Sequence, residues 1–185
     1  MMEKRQKKGI ELSMMSSSNT IKIAGIIEES IVDGPGIRFV IFTQGCPHNC
    51  FGCHNPQTHD INGGMEVEID NIIKKISENP LLKGVTLSGG EPFMQANKIV
   101  VLLDKIDRNK LNVITYTGFK YEYLIHNSNA ENGFMELLNR TDILIDGKFE
   151  IENKDENLKF MGSSNQRAID VRKSLELDKI VEHIF

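Results

Sequence analysis

The sequence predicts an open, partial β/α barrel built on a parallel sheet of about five or six strands. Three observations predict it. Short β-branched runs alternate with stretches of helical apolar spacing, as in parallel strands joined by crossovers. The chain has 185 residues, whereas a complete eight-fold barrel takes roughly 250. Glycine and polar clusters directly follow several of the proposed strands, where sheets of this kind bind their ligands.

Residues 1–19 are basic and then serine-rich without periodicity, so a mobile tail is expected there, followed by a single domain over 20–185. Runs rich in isoleucine, valine and phenylalanine predict strands at 21–27 and 37–43. Val67, Ile69, Ile72, Ile73 and Ile76 recur at mostly helical spacing and predict a helix over 67–76. Residues 84–87 form a short buried strand. Ile99, Leu102, Leu103 and Ile106 mark a second helix face. A strand at 112–116, a helix at 134–138 and strands at 143–145 and 168–171 complete the pattern. The stretch 149–158, rich in Glu, Asn, Asp and Lys, reads as an exposed connection.

With 39% hydrophobic and 26% charged residues, the chain has the composition of a domain with a buried core rather than of a disordered one. A net charge of −4 disfavours a polyanionic partner, so no nucleic acid is expected. No apolar run approaches the roughly 20 residues that span a bilayer. The charged start at Met1 to Lys8 is not followed by the apolar core of a signal peptide. No membrane association is expected, and a reducing, cytoplasmic setting is.

All three cysteines lie in Cys46-Pro47-His48-Asn49-Cys50-Phe51-Gly52-Cys53. Three thiolates are one short of closing a tetrahedral zinc site or of capping every iron of a cubane, so a metal group held here keeps a position open. A structural Cys3His zinc module would need His48, His54 or His59 as its fourth ligand. An odd number of closely spaced cysteines argues against disulfide pairing.

Four patches follow strands: the cysteine loop, Ser88-Gly89-Gly90-Glu91-Pro92, Tyr116-Thr117-Gly118 and Asp146-Gly147-Lys148. The carboxyl ends of parallel strands share one edge, so these patches should converge. Adjacent glycines let the backbone approach a ligand closely, and Glu91 beside them offers a carboxylate to an amine. Asp146 and Lys148 offer polar contacts at the margin. His126 and His183 read as surface residues, and Met94, Met135 and Met161 as filler for apolar gaps.

The spacing of Cys46, Cys50 and Cys53 resembles the signature of the radical S-adenosylmethionine superfamily, and Gly89-Gly90-Glu91-Pro92 resembles its amine-binding motif. Asp33-Gly34-Pro35-Gly36-Ile37-Arg38 is similar to a motif of glycyl-radical-enzyme activases. The segments around the cysteines, 116–118, 144–149 and 162–167 resemble the branch acting on anaerobic ribonucleoside-triphosphate reductase. The likeness covers roughly residues 21–171. Two positions depart: Gly52 stands where the superfamily often has an aromatic, and His59 where the branch often has tryptophan.

The resemblance implies that Cys46, Cys50 and Cys53 hold three irons of a [4Fe-4S] cluster, the fourth being chelated by S-adenosyl-L-methionine. Reductive cleavage of the sulfonium would yield a 5′-deoxyadenosyl radical that abstracts hydrogen from a glycine of the reductase large subunit, leaving a glycyl radical. Reduced flavodoxin or a similar donor is implied. Gly89, Gly90 and Glu91 are expected at the methionyl end of the cofactor, Gly52, Cys53 and His54 at its nucleoside side, and Asp146 with Lys148 at its outer polar contacts. Asn165, Gln166 and Arg167 are expected to touch cofactor or partner, with Ser163 or Ser164 as a helix N-cap the alternative. No side chain is needed as acid or base. Other small radical enzymes, a pyruvate formate-lyase-type activase or a 7-carboxy-7-deazaguanine synthase, are the alternatives within the superfamily.

Overall fold

The computed structural model describes residues 19–185. The tail expected over 1–19 lies outside the described residues except for Asn19, whose carbonyl accepts from the Ile69 N–H at 2.8 Å. The strands are β1 (Thr20–Ser30), β2 (Arg38–Thr43), β3 (Met65–Glu68), β4 (Gly84–Gly89), β5 (Asn112–Thr117), β6 (Ile143–Asp146) and β7 (Arg167–Asp170). Helices α1 (Ile69–Glu78), α2 (Ala96–Leu103), α3 (Tyr121–His126), α4 (Phe134–Leu138) and α5 (Val171–Leu177) intervene.

These strands form one open sheet of order β3-β1-β2-β4-β5-β6-β7, an open α/β architecture as the sequence predicts. The parallel character holds only at its centre, where β2, β4, β5 and β6 run in the same direction. At the flanks β1 pairs antiparallel with both β2 and β3, and β7 antiparallel with β6. Residues beyond α5 return along β7: the Asp170 N–H donates to Val181 O at 2.9 Å and the His183 N–H to Ala168 O at 2.8 Å.

The segment 67–76 is not one helix. Met65–Glu68 pairs with β1, and Glu68 stays extended at ψ 128° before α1 begins at Ile69. Ile69, Ile72 and Ile76 then share the buried face, with Asp70 in the first turn and Lys75 in the last complementing the helix dipole. Two further helices escape the sequence pattern: α3, burying Tyr121 and Leu124, and α5, burying Val171 and Ser174. The N-cap of α5 is Asp170, whose carboxylate accepts from the Lys173 N–H at 3.0 Å. No helix starts at Ser163 or Ser164, so the capping alternative fails. Ser163 is buried and its Oγ accepts from the Glu150 N–H at 3.2 Å.

Strand residues alternate between two apolar layers. Phe39, Ile41, Val85, Leu87, Val113 and Leu144 face the main core with the helices, whereas Ile114, Ile143, Ile145 and Ala168 form a second cluster. In the out-of-phase positions of the central strands lies a fully buried arginine, Arg38. Its guanidinium donates to Thr86 Oγ1 at 2.6 Å, Asn112 Oδ1 at 2.7 Å and Val85 O at 2.8 Å, and Thr86 Oγ1 donates onward to Asp33 O at 2.8 Å. Burial lowers its pKa to about 10. Arg38 thus fastens the 33–36 turn onto the sheet. Of the three methionines read as filler, Met94 is instead exposed.

Candidate functional site

The carboxyl ends of β2, β4, β5 and β6 surround a pocket of about 470 Å³, within the size range of small-ligand sites. Cys46, Cys50 and Cys53 line it, with Gly89 and Gly90 from the β4 end, Thr117 and Gly118 from β5, and Gly147 and Lys148 from β6. The four sequence patches therefore meet along one edge of the sheet. The far wall is the strap 158–162, where Phe160, at a left-handed φ of 59°, is held by the Tyr116 hydroxyl donating to its carbonyl at 2.7 Å.

The three thiols are half-buried and free. Burial pushes the Cys46 thiol up, partly offset by the backbone N–H groups of His48 and Asn49. It does the same at Cys50, offset by the Phe149 N–H and the Lys148 charge. The Asn55 N–H donates to Cys53 Sγ at 3.4 Å. Among the described residues, no three His, Cys, Asp or Glu side chains gather tightly enough to hold a single metal ion.

The glycines of the β4 end serve the loop stem as well as the pocket. Gly89 has φ +91°, and a Cβ there would lie 2.6 Å from Phe42 Cα; a Cβ on Gly90 would lie 2.3 Å from Gly45 O. Backbone bonds fill the contact: Gly90 N–H donates to Thr43 O and Glu91 N–H to Gly45 O, each at 2.8 Å.

Three residues stand elsewhere than expected. Glu91, expected to meet an amine in the site, is fully buried and does not line the pocket. Its carboxylate accepts from the Phe93 N–H at 3.0 Å, Thr117 Oγ1 at 2.9 Å and the Gly118 N–H at 2.9 Å, and lies 2.7 Å from His48 Nε2. Asp146 is also fully buried and off the pocket wall, because Arg167 grips it with a two-pronged contact and the Tyr121 N–H donates to it at 2.8 Å. Gly52 sits outside the lining, against Phe149 and Ile151. His54 and Lys148 do line the pocket, His54 with its ring 4.8 Å from that of Phe149.

Of the trio Asn165, Gln166 and Arg167, only Gln166 reaches the pocket. It ties the strap to the sheet, accepting from the Gly162 N–H at 2.8 Å and donating to Gly147 O at 3.0 Å. Arg167 binds Asp146 and Glu122, and the Asn165 side chain donates to Lys148 O. His59 lines the pocket with Nε2 buried and unpartnered. The sequence offered His48 only as a candidate fourth zinc ligand and Thr117 only as part of a patch after a strand, neither as a partner of Glu91. Their partner Glu91 is 43 and 26 residues away, a separation that leaves no local signal.

The 4Fe-4S single cluster domain family matches residues 32–169. The anaerobic ribonucleoside-triphosphate reductase-activating protein of Salmonella typhi is 36% identical over 145 residues, covering 74% of this chain and 90% of the relative. Its Escherichia coli K12 counterpart is 35% identical over 144 residues with the same coverage. The pyruvate formate-lyase 1-activating enzyme of Escherichia coli K12 is 35% identical over 158 residues, 78% of this chain but 58% of the relative. Among solved structures, QueE from Escherichia coli superposes with a TM-score of 0.39 at 17% identity, covering 54% of this chain and 53% of that one.

Proposed function

The chain belongs to the 4Fe-4S single cluster domain family and, within it, to the radical S-adenosylmethionine activases, and from that membership we propose that it activates anaerobic ribonucleoside-triphosphate reductase by generating a glycyl radical on it. The observation that carries the reading is the convergence of three thiols and three glycine-bearing patches on one pocket at the carboxyl edge of the central strands. The donor set fits an iron–sulfur cluster: three free, half-buried thiols line one pocket, one short of capping every iron of a cubane. Bound there, a reduced [4Fe-4S] cluster would supply the electron for reductive cleavage of S-adenosyl-L-methionine and so the hydrogen-abstracting chemistry of the reaction.

Cys46, Cys50 and Cys53 would hold the cluster. The N–H donated to Cys53 Sγ and the Lys148 charge beside Cys50 belong to the interactions that tune cluster potentials. Gly89 and Gly90 present backbone to the pocket beside the thiols, and Lys148 adds a cation suited to a carboxylate. His54, on the aromatic edge formed with Phe149, stands where a nucleoside would be received. Glu91 and Asp146 act behind this wall, as supports for the loops that form it. The far strap, with Leu158, Phe160, Met161 and Gly162, walls the pocket opposite the thiols. The protein partner is a glycyl-radical enzyme; we assign it as the reductase large subunit, with reduced flavodoxin or a donor of similar potential.

The test is anaerobic. The reconstituted protein, reduced and given S-adenosyl-L-methionine, is mixed with the reductase or with pyruvate formate-lyase, and the glycyl doublet is sought by electron paramagnetic resonance. A doublet on the reductase is expected, and loss of 5′-deoxyadenosine formation in each of Cys46→Ala, Cys50→Ala and Cys53→Ala. A doublet on the formate-lyase alone would overturn the assignment.

A further inference from the structure

We propose that His48 and Glu91 form an internal clamp that fixes the cysteine loop in shape before any cluster enters it, so that Glu91 is a positioning residue rather than a contact to a bound amine. The inference rests on the reading of Cys46, Cys50 and Cys53 as the cluster's anchors.

His48 lies midway between Cys46 and Cys50, yet its side chain is only 7% exposed and turns inward to Glu91, 2.7 Å away. The slot it enters exists because residue 118 is glycine: a Cβ there would lie 2.2 Å from His48 Cδ2. Phe119 closes the slot, edge-on to the imidazole at 4.6 Å. On the other side of Glu91, Thr117 Oγ1 reaches both carboxylate oxygens, at 2.9 and 3.0 Å, and the N–H groups of Phe93 and Gly118 reach one each. With these donors and His48, the carboxylate is fully engaged by this chain. A buried carboxylate so satisfied has little capacity left for a ligand, and removing a partner is costly because a buried polar group is left unpaired.

The position of the clamp matters to the loop. Directly after His48, Asn49 takes a left-handed φ of 47°, a conformation that asparagine tolerates better than most residues but that still needs support from its surroundings. Upstream, Glu91 N–H holds Gly45 O at 2.8 Å. One residue therefore grips the loop at two points, by backbone before Cys46 and by side chain before Cys50. The loop end carrying Cys53 has its own bond, from the Asn55 N–H.

The clamp is tested on thiols first, with no cluster present. In cluster-free protein, His48→Ala and Glu91→Gln should each let Cys46 and Cys50 be alkylated roughly tenfold faster, the factor that corresponds to losing one buried hydrogen bond of about 1.4 kcal/mol, while Cys53 changes little. The double variant should be no faster than either single one, since the two residues act as one unit. His48→Gln, which keeps a donor, should recover part of the protection and covers the case in which the alanine variant does not fold. After reconstitution, the same variants should release iron to a chelator faster, with S-adenosyl-L-methionine affinity of the loaded fraction unchanged. Parental thiol protection in His48→Ala overturns the clamp. So does a Glu91→Gln protein that keeps its thiol protection and iron but binds S-adenosyl-L-methionine tenfold more weakly, which would make Glu91 a direct contact. If the parent takes up neither iron nor sulfide, the proposed function falls, while the alkylation rates still decide the clamp.

Discussion

Replacing Arg38 by methionine removes a cation that no carboxylate among the described residues contacts directly and that nevertheless organises the middle of the sheet. Its three bonds of 2.8 Å or less, to Thr86 Oγ1, Asn112 Oδ1 and Val85 O, would be lost, while the acceptors stay in place. Each such bond is worth roughly 1 to 1.5 kcal/mol net. Methionine fills much of the volume and relieves the burial cost that lowers the guanidinium's pKa, returning on the order of 1 kcal/mol. The expected loss is about 3 kcal/mol, or roughly 6 to 12 °C in melting temperature for a chain of this size. Urea unfolding of cluster-free Arg38→Met, followed by circular dichroism with the slope held to the parent's, measures it. Arg38→Lys should rescue little, because an ammonium cannot reproduce the fork that spans two strands and the 33–36 turn. A midpoint for Arg38→Met within 0.5 kcal/mol of the parent (~0.5 kcal/mol being the size of an ordinary surface substitution) would refute the view that this arginine is a structural tie.

Other expectations concern the margins and the loop stem. The Arg167 guanidinium holds the Glu122 carboxyl down to about 2 from its ordinary 4.5; a depressed folded-state pKa adds stability above pH 4.5 that fades as pH falls towards 2. Glu122→Gln should accordingly flatten the stability-versus-pH curve in that window and leave it unchanged in shape above pH 6, as read by melting temperatures across a pH series. The effect should be small, because the Glu122 side chain is 59% exposed. Asp170→Ala removes the cap of α5 and should cost about 1 kcal/mol, visible as a lower urea midpoint. Gly90→Ala forces a Cβ to within 2.3 Å of the Gly45 carbonyl, which is backbone and cannot rotate away; a loss of about 1–3 kcal/mol and faster iron release after reconstitution are expected, and parental behaviour in both assays would show that the stem can yield.

The edge that gathers the site was legible because each central strand is a β-branched run ended by glycine or a polar cluster, a contrast that survives in one dimension. Strand direction was not. Nothing local marks Arg167–Asp170 as antiparallel, since its orientation follows from the long return through 147–166. The β3–α1 boundary was hidden for another reason: Val67 on the strand lies only two residues before Ile69 on the helix, so the apolar run merges with the three-and-four spacing that follows. In the site, cysteine spacing is a local property and was readable, whereas the burial of Glu91 and Asp146 depends on His48, Thr117 and Arg167 arriving from distant parts of the sequence. A carboxylate beside two glycines looks like a ligand contact until its donors are known.

A sheet that does not close leaves two borders at which a foreign strand could add itself. Here one border is occupied by the chain's own residues 181–183 running beside Arg167–Asp170. The other is a strand of only four residues that exposes Glu66 and Glu68. Glu66 lies 3.8 Å from Lys98 Nζ and Glu68 accepts from the Asn19 side chain at 3.3 Å, so the border's charges are held by neighbours of this chain. So short and charged a border gives an incoming strand few free backbone groups and makes it bury charged side chains.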